Sequence, residues 1–532
     1  MSQLLDHLII VPIILPLVAA AAMLIFDERH YQLKAFISLV CMSILAITAV
    51  VLLHQASVGG ADGQDTAWVY SLGNWAAPFG IVLVADRLST LMLALTAVLA
   101  AGGLLFAFAR WDRAGPRFHA LYLLLVMGVN GAVLTGDLFN LFVFFEVMLA
   151  ASYGLLLHGS GDKRVRAGLG YVAINLTASF FFLIGVGLIY GVTGALNMAD
   201  IASRIALIPV HDRAIFHVGC AVLGIAFLVK AAAWPLGFWL PGAYAAATAP
   251  VAAVFAILSK VGVYVLIRLS MLMFGDQAGA SAGFGQDWIL IVGIATVLFG
   301  AAGIVASRQL EQAAGYAIMT SSGTALAILG TGDTAALGGA LFYMAASTLA
   351  AAALFLIAEI LARGEDQSIL PDDAVFDDEY DDPFSPDEVQ EVGRVMPAST
   401  AFLGSAFILA ALVTISLPPL AGFAGKLTIF VSLLAGDGAG LSATWVLIGA
   451  LTLSSLASLI ALSRFGIAGF WRELDDALPM VRSPEFVAIG GLVLACLWMS
   501  LGAAAGLNFA EQTSLWLAEP QAYIQAVLGG GQ

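Results

Sequence analysis

Residues 227–241 read FLVKAAAWPLGFWLP, in which a lysine stands inside an apolar run and a proline follows five residues later. Lys230 would carry a full positive charge in this run. Pro235 lacks the N–H group that an uninterrupted helix uses, and its ring clashes with the carbonyl four residues earlier. The stretch therefore predicts a charged side chain beside a helix break.

The sequence around this stretch is strongly apolar from end to end. Of the 532 residues, 61% are hydrophobic and 11% are charged, against about 25% charged in an average soluble protein. Apolar runs of about 18 residues or more recur along the chain, which is typical of membrane-spanning helices. The first run lacks the basic start and the cleavage site of a signal peptide, so we interpret it as a span. We predict an all-α polytopic membrane protein rather than a soluble one.

The apolar runs predict about 14 transmembrane helices. Their predicted positions are 8–26, 35–53, 89–109, 117–135, 138–158, 167–191, 213–233, 243–269, 288–306, 312–330, 336–361, 399–436 (interrupted), 444–463 and 485–505. Helices 1–3 would form an N-terminal segment (1–110), helices 4–8 a first repeat (117–270) and helices 9–13 a second repeat (288–463). Helix 14 and a tail would occupy 485–532.

The positive charges predict the orientation of these helices. Fourteen of the 21 lysines and arginines fall in odd-numbered connections and four in even-numbered ones. Since basic residues collect on the cytoplasmic side, the odd connections should face the cytoplasm and both termini the outer face. The segment 365–391, with 12 acidic residues and no basic one, would then be a flexible cytoplasmic loop.

Four charged residues lie inside predicted spans, namely Glu146, Lys230, Lys260 and Lys426. Each costs roughly 2.5–3.5 kcal/mol on insertion scales, and such residues usually face the bundle interior and mark ion or proton pathways. Because burial disfavours the charged form, buried acids and amines can exchange protons near neutral pH. We predict that the four residues form a proton path in which Glu146 is the partner of Lys230. The alternative is a structural charge pair that only holds helices together.

A second interrupted span repeats the pattern of the first. Residues 413–430 read VTISLPPLAGFAGKLTIF, with Pro418 and Pro419 just ahead of Lys426. Two broken spans at corresponding places in two halves are the best sequence indication of a transporter with internal repeats. We therefore predict two inverted five-helix repeats with interrupted helices 7 and 12.

The other sequence patterns indicate no second chemistry. Cys41, Cys220 and Cys496 are scattered through apolar segments and form neither a disulfide framework nor a metal pattern. We find no glycine-rich phosphate loop, CxxC pair or HExxH motif. We therefore predict no cofactor, no metal, no nucleic acid partner and no enzymatic activity.

Three stretches of the sequence resemble a known family. TGDLFNLFVFFEVMLAASYGL, FLVKAAAWPLGFWLPGAYAAATAPVAAVFAILSKVGVY and LPPLAGFAGK are similar to the proton-translocating antiporter-like subunits. That superfamily includes membrane-arm subunits of respiratory complex I and large subunits of Mrp-type (Pha/Mnh) cation/proton antiporters. The chain is most similar to the D subunits of the Mrp type, which LLDHLIIVPIILPLVAAAAMLIFDER, GALNMADIA and the chain length also favour.

The resemblance implies a function and a set of site residues. It implies exchange of protons for Na+ or K+ in a bacterial inner membrane, in a hetero-oligomer with the A, B, C, E, F and G subunits of the Mrp type. It identifies Glu146, Lys230, Lys260 and Lys426 with the family's glutamate and bases of helices 5, 7, 8 and 12. Two alternatives stay open: a proton-pumping subunit of a complex I-like dehydrogenase or membrane-bound hydrogenase, and a structural scaffold.

The second half departs from the complex I pattern, which commonly has histidines in helices 10 and 11. Here those helices offer polar but uncharged side chains, so water would have to bridge Lys260 and Lys426. The candidate polar relay residues are Asp137, Tyr316, Ser321, Ser322 and Ser347.

Overall fold

The apolar runs fold into helices because backbone polar groups in hydrocarbon must find their partners within the segment. The computed structural model describes residues 7–58, 67–368, 397–436, 441–470 and 481–529. Its helices, in chain order, are α1 (Val11–Ile25), α2 (Tyr31–Val58), α3 (Arg87–Ala107), α4 (Phe118–Leu134), α5 (Leu138–Leu156), α6 (Asp162–Thr193), α7 (Met198–Arg204), α8 (Val210–Lys230), α9 (Trp239–Ala246), α10 (Ala249–Phe274), α11 (Gln286–Ala306), α12 (Leu310–Thr331), α13 (Thr334–Ser368), α14 (Ala398–Ile415), α15 (Ala421–Ala435), α16 (Leu441–Phe470), α17 (Ser483–Leu501), α18 (Ala503–Leu517) and α19 (Pro520–Leu528).

The helices agree with the predicted spans. Within the described residues, twelve helices are long and apolar enough to cross a membrane, and α1, α4 and α15 are shorter apolar helices. Because α14 and α15 are two parts of one interrupted crossing, these helices account for the 14 predicted spans. The prediction of an all-helical, polytopic membrane protein is confirmed.

Three helices form the centre of the bundle. The most apolar windows of α10 and α13 are 100% buried and that of α12 is 94% buried, whereas those of α11 and α17 are 33% buried. The peripheral helices expose large apolar side chains, as lipid-facing helices do. Charged groups on α10 are therefore enclosed by protein.

Both predicted helix breaks are confirmed. The chain between α8 and α9 leaves the helical path with Ala232 at φ +55°, and a cis peptide bond joins Trp234 to Pro235. The chain between α14 and α15 does so with Ser416 at φ +68° and a cis bond between Pro418 and Pro419. Each break lies in the fourth crossing of its predicted five-helix repeat. The assignment of the two halves as inverted repeats, with the domain boundaries given above, stays a prediction.

Several features were not predicted. The helix of the last crossing, α17, is followed directly by a further helix, α18, with Gly502 between them. A two-stranded antiparallel sheet joins α2 to α3, in which β1 (Trp68–Ser71) pairs with β2 (Val82–Ala85). Of the acidic segment, residues 365–368 belong to the end of α13, which corrects the predicted loop there. Residues 369–391 lie outside the described residues.

Candidate functional site

Lys230 is the last residue of α8 and lies directly at the first break. Its side chain is buried, and Nζ lies 4.9 Å from the centre of the Phe145 ring. Nζ has no hydrogen-bond acceptor among the described residues. The negative end of the helix dipole and the face of the aromatic ring both favour a positive charge at this position. Lys230 is thus a buried ammonium group held by weak electrostatic contacts rather than by a fixed ion pair.

Glu146 follows Phe145 on α5 and is half-buried. Its carboxylate accepts a hydrogen bond from the Ser179 hydroxyl of α6. The ring of the preceding residue, Phe145, packs on Lys230, and Nζ makes no hydrogen bond to the Glu146 carboxylate. The structure therefore brings the two residues into the same region without direct contact. The prediction that Glu146 is the functional partner of Lys230 is compatible with this geometry and stays a prediction.

Lys260 lies in the middle of α10 and is 0% exposed. Nζ donates hydrogen bonds to the Ser321 hydroxyl (2.5 Å), the Ser322 hydroxyl (2.8 Å) and the Ile318 carbonyl (2.9 Å), all on α12. An ammonium group has three N–H donors, and each of them is matched here by an oxygen. These bonds connect the first predicted repeat to the second.

Lys426 lies in α15, five residues after that helix begins, and is buried. Nζ donates a hydrogen bond to the Ser455 hydroxyl of α16 (2.7 Å) and lies 5.0 Å from the centre of the Tyr343 ring. The two break lysines therefore occupy different positions. Lys230 ends the half-helix before its break, whereas Lys426 lies within the half-helix after its break.

The polar relay residues predicted from the sequence divide into two groups. Ser321 and Ser322 contact Lys260 directly. Asp137 instead caps the N-terminus of α5 by accepting the Phe139 and Asn140 N–H groups, and Ser347 donates to a carbonyl of its own helix. Tyr316 packs its ring on the neighbouring α11. Among the described residues, these last three make no hydrogen bond to the buried lysines.

The sequence analysis missed further buried cations, and one of them is paired with a buried carboxylate. Arg268, which the sequence analysis counted with the connections, lies inside α10, and its guanidinium pairs with the Asp86 carboxylate at 2.5 Å. The two side chains are 4% and 0% exposed. Asp86 also caps α3 by accepting the Ser89 N–H group. The signal available in the sequence was an arginine in the apolar run VLIRLSML, but its distance from the end of that run was misjudged.

Metal ligation finds no support in this geometry. Among the described residues, no group of three or more His, Cys, Asp or Glu side chains could hold a metal ion. The buried groups around the two breaks are amines, hydroxyls and one carboxylate, which can hold, release and pass protons.

Comparison with known proteins identifies the family. Residues 135–457 match the family described as NADH:quinone oxidoreductase/Mrp antiporter, TM. The chain is 48% identical over 99% of its length to a Rhizobium meliloti protein named as the D subunit of a probable K(+)/H(+) antiporter, of which it covers 98%. The chain belongs to the NADH:quinone oxidoreductase/Mrp antiporter family. It is therefore a multi-pass membrane protein.

Further relatives confirm the resemblance of this antiporter-family chain to the D subunits of such antiporters. It is 32% identical to the D subunit of the Na(+)/H(+) antiporter of Alkalihalophilus pseudofirmus, over 98% of the chain and 99% of that protein. A chain of the Mrp complex from Dietzia sp. superposes with a TM-score of 0.79 and 25% identity, covering 99% of this chain and 100% of that one. A chain of respiratory complex I from Thermus thermophilus has the same fold, with a TM-score of 0.73, 21% identity, and 96% and 99% coverage.

The antiporter-family chain contains functional candidates that sequence reasoning did not single out. Ser179 and Ser455 bind the side chains of Glu146 and Lys426 from neighbouring helices. A serine in an apolar span usually bonds to its own helix, so its residue type alone does not reveal such a contact. Only the packing of the helices shows which hydroxyl groups face a charged side chain.

Proposed function

We propose that this chain is the proton-translocating subunit of a multisubunit antiporter that exchanges H+ for Na+ or K+. The relatives described above are named as the D subunits of a K+/H+ and a Na+/H+ antiporter, which supports both cations as candidates. The observation that carries the proposal is the burial of Lys230, Lys260 and Lys426, each on a different helix and two of them beside helix breaks. The chain itself breaks and forms no covalent bonds other than those to protons.

The proposed path begins at Lys230. Glu146 stabilises the charge of Lys230 while the glutamate is ionised, and the lysine releases its proton when that carboxylate is neutralised or moves away. The proton then passes to Lys260, which Ser321 and Ser322 support. Ser321 donates in turn to the Ile318 carbonyl, so the three oxygens around Lys260 form a polar network.

The path continues to Lys426 in the second half. Ser347 and Thr348 of α13 both donate to the Met344 carbonyl, so their hydroxyl protons are already engaged. Proton transfer from Lys260 to Lys426 therefore runs through water rather than through an unbroken chain of side chains. Lys426 delivers the proton next to Ser455 on α16.

We also propose the setting of this antiporter component. The chain lies in a bacterial inner membrane with both termini outside and the acidic segment 365–391 in the cytoplasm, as the distribution of lysine and arginine predicts. It works in a hetero-oligomer with the A, B, C, E, F and G subunits of the Mrp type. The charge movement along the lysines drives cation movement in that complex.

A second candidate function is a proton pump driven by electron transfer elsewhere in a larger complex. The family match and the fold shared with a complex I chain favour it. The same buried lysines would serve either process. A scaffold role is less well supported, because three lysines inside the spans oppose insertion and add little to packing.

Everted membrane vesicles that contain the complete complex separate these functions. A pH gradient is first established, and then K+ or Na+ is added while the gradient is followed with a pH-sensitive dye. Collapse of the gradient on cation addition is expected for the antiporter. If neither cation changes the pH gradient, but a gradient forms when NADH or another electron donor is supplied, the chain belongs to a redox pump instead.

A further inference from the structure

One hydroxyl group connects the break beside Lys230 to α11, a helix of the second predicted repeat. The Trp234 backbone N–H, in the middle of the break, donates to Thr296 Oγ1 of α11 at 2.8 Å. The same hydroxyl donates its proton to the Val292 carbonyl at 2.6 Å. Since a backbone N–H can only donate, the direction of both hydrogen bonds is fixed. Thr296 is 0% exposed, whereas the Trp234 side chain is 44% exposed, so the bond between them lies at the edge of the buried region.

Thr296 also packs against α12 at Gly323, next in sequence to the serines that bind Lys260. A Cβ atom on Gly323 would come within 2.8 Å of Thr296 Cβ, so α11 and α12 approach closely here. Gly323 directly follows Ser322, which accepts a hydrogen bond from Lys260. One threonine therefore contacts both the break that follows Lys230 and the segment of α12 whose serines bind Lys260.

The second break shows the same arrangement with a different hydroxyl. The Ala421 backbone N–H, at the start of α15, donates to the Ser500 hydroxyl of α17 at 2.9 Å. Ser500 in turn donates to the Cys496 carbonyl at 2.8 Å. Each interrupted crossing thus has a freed N–H group bound by a hydroxyl of a neighbouring crossing, and that hydroxyl is oriented by a carbonyl four residues before it.

We propose that Thr296 is a positioning residue for proton transfer, which holds the 231–238 break in register with the Ser321–Ser322 segment of α12. The inference rests on the proposed function. When Lys230 gains or loses its proton, the backbone next to it responds, and Thr296 transmits that response to α12. Its hydroxyl group, rather than its bulk, carries the role, because the hydroxyl makes the bond to Trp234.

Removal of this hydroxyl leaves the Trp234 N–H without its acceptor at a partly buried position. An orphaned buried donor is costly, so the break is expected to adopt other conformations in which Lys230 is misplaced. The antiport turnover per assembled complex should fall roughly tenfold, which is the equilibrium effect of losing one buried hydrogen bond. The apparent KM for the cation should stay the same, since Thr296 contacts the proton path and not the cation.

The test compares three variants in the whole complex in vesicles. Thr296→Val replaces the hydroxyl with a methyl group, Thr296→Ser keeps the hydroxyl, and Thr96→Val is the matched control. Thr96 is equally buried and donates to the Met92 carbonyl of its own helix at 2.7 Å, with no second helix involved. Turnover per assembled complex, cation KM and hydrogen exchange of the 231–238 amides are measured for each.

The proposal requires low turnover and faster amide exchange at 231–238 for Thr296→Val, with near-normal values for Thr296→Ser and Thr96→Val. Normal turnover of Thr296→Val would overturn it, as would an equal loss in Thr296→Ser. Failure of Thr296→Val to assemble while Thr96→Val assembles would make Thr296 a folding residue and would also overturn it. Lys230→Ala in the same vesicles is the reference: if it keeps full antiport, the proposed function fails rather than this inference.

Discussion

The buried ion pair between Asp86 and Arg268 gives a prediction that does not depend on the transport mechanism. The pair joins the N-terminus of α3 to α10, and Arg268 also lies 5.3 Å from the Tyr523 ring and 5.9 Å from the Trp516 ring. The substitution Asp86→Ala removes the only carboxylate that the described residues place against this guanidinium. The chain should then unfold much more easily, although none of the buried lysines is touched.

The expected loss follows from two separate contacts. Leaving one charge of a buried pair without its partner costs about 3–5 kcal/mol. Asp86 also caps α3, and replacing such a cap with alanine costs about 1 kcal/mol. The sum for Asp86→Ala is about 4–6 kcal/mol. Asp86→Asn should cost less, because asparagine can still cap the helix and can accept a hydrogen bond from Arg268.

The measurement is unfolding of the purified chain in mixed detergent micelles, followed by tryptophan fluorescence. The double variant Asp86→Asn/Arg268→Gln should be more stable than the two single losses added together, by about 1–3 kcal/mol of coupling. Additive losses, or an Asp86→Ala chain as stable as the wild type, would refute the reasoning.

Three further predictions concern other contacts. The Ser321→Ala/Ser322→Ala double variant should lower antiport turnover about tenfold, because it removes two of the three acceptors of Lys260. The control Ser347→Ala, at a serine that contacts no lysine among the described residues, should lower turnover less than about twofold in the same vesicle assay. Ser455→Ala should lower turnover about fivefold, since its hydroxyl is the hydrogen-bond acceptor of the α15 lysine, and wild-type turnover would contradict this role. Burial raises the pKa of the Asp112 carboxyl, whose side chain is 3% exposed, so the folded chain holds this proton to higher pH than the unfolded chain does. Ionised Asp112 therefore opposes folding. Asp112→Asn should stabilise the chain at about pH 8 but not below about pH 4, as measured by unfolding in detergent at both pH values. Equal stabilisation at both pH values would contradict the raised pKa of Asp112.

Much of the fold could be predicted because the membrane imposes simple rules on sequence. Apolar length fixes the number of crossings, and a proline in the middle of a span interrupts it. These rules located the breaks at Pro235 and at Pro418–Pro419 correctly. They missed the end of α17 at Gly502, because glycine occurs inside membrane helices as well as at their ends.

The candidate site could be predicted only in part. Lys230, Lys260 and Lys426 were found because a lysine inside an apolar run is costly and therefore conspicuous. Ser455, which binds Lys426, and Thr296, which binds the break after Lys230, were not found, since hydroxyl side chains are common in apolar helices and usually bond to their own helix. Arg268 was misassigned because the end of an apolar run does not mark the end of the buried helix.

The central claim is that the buried lysines carry the transported proton, and Lys230 tests it most directly. The complete complex is assembled in everted vesicles with wild-type chain, with Lys230→Ala, or with Lys163→Ala as a control at an exposed lysine. The vesicles contain equal amounts of complex and an established pH gradient, and K+ or Na+ is then added. We predict that the cation collapses the gradient with the wild-type and Lys163→Ala chains and has no effect with Lys230→Ala. Collapse at the wild-type rate with Lys230→Ala would contradict the account.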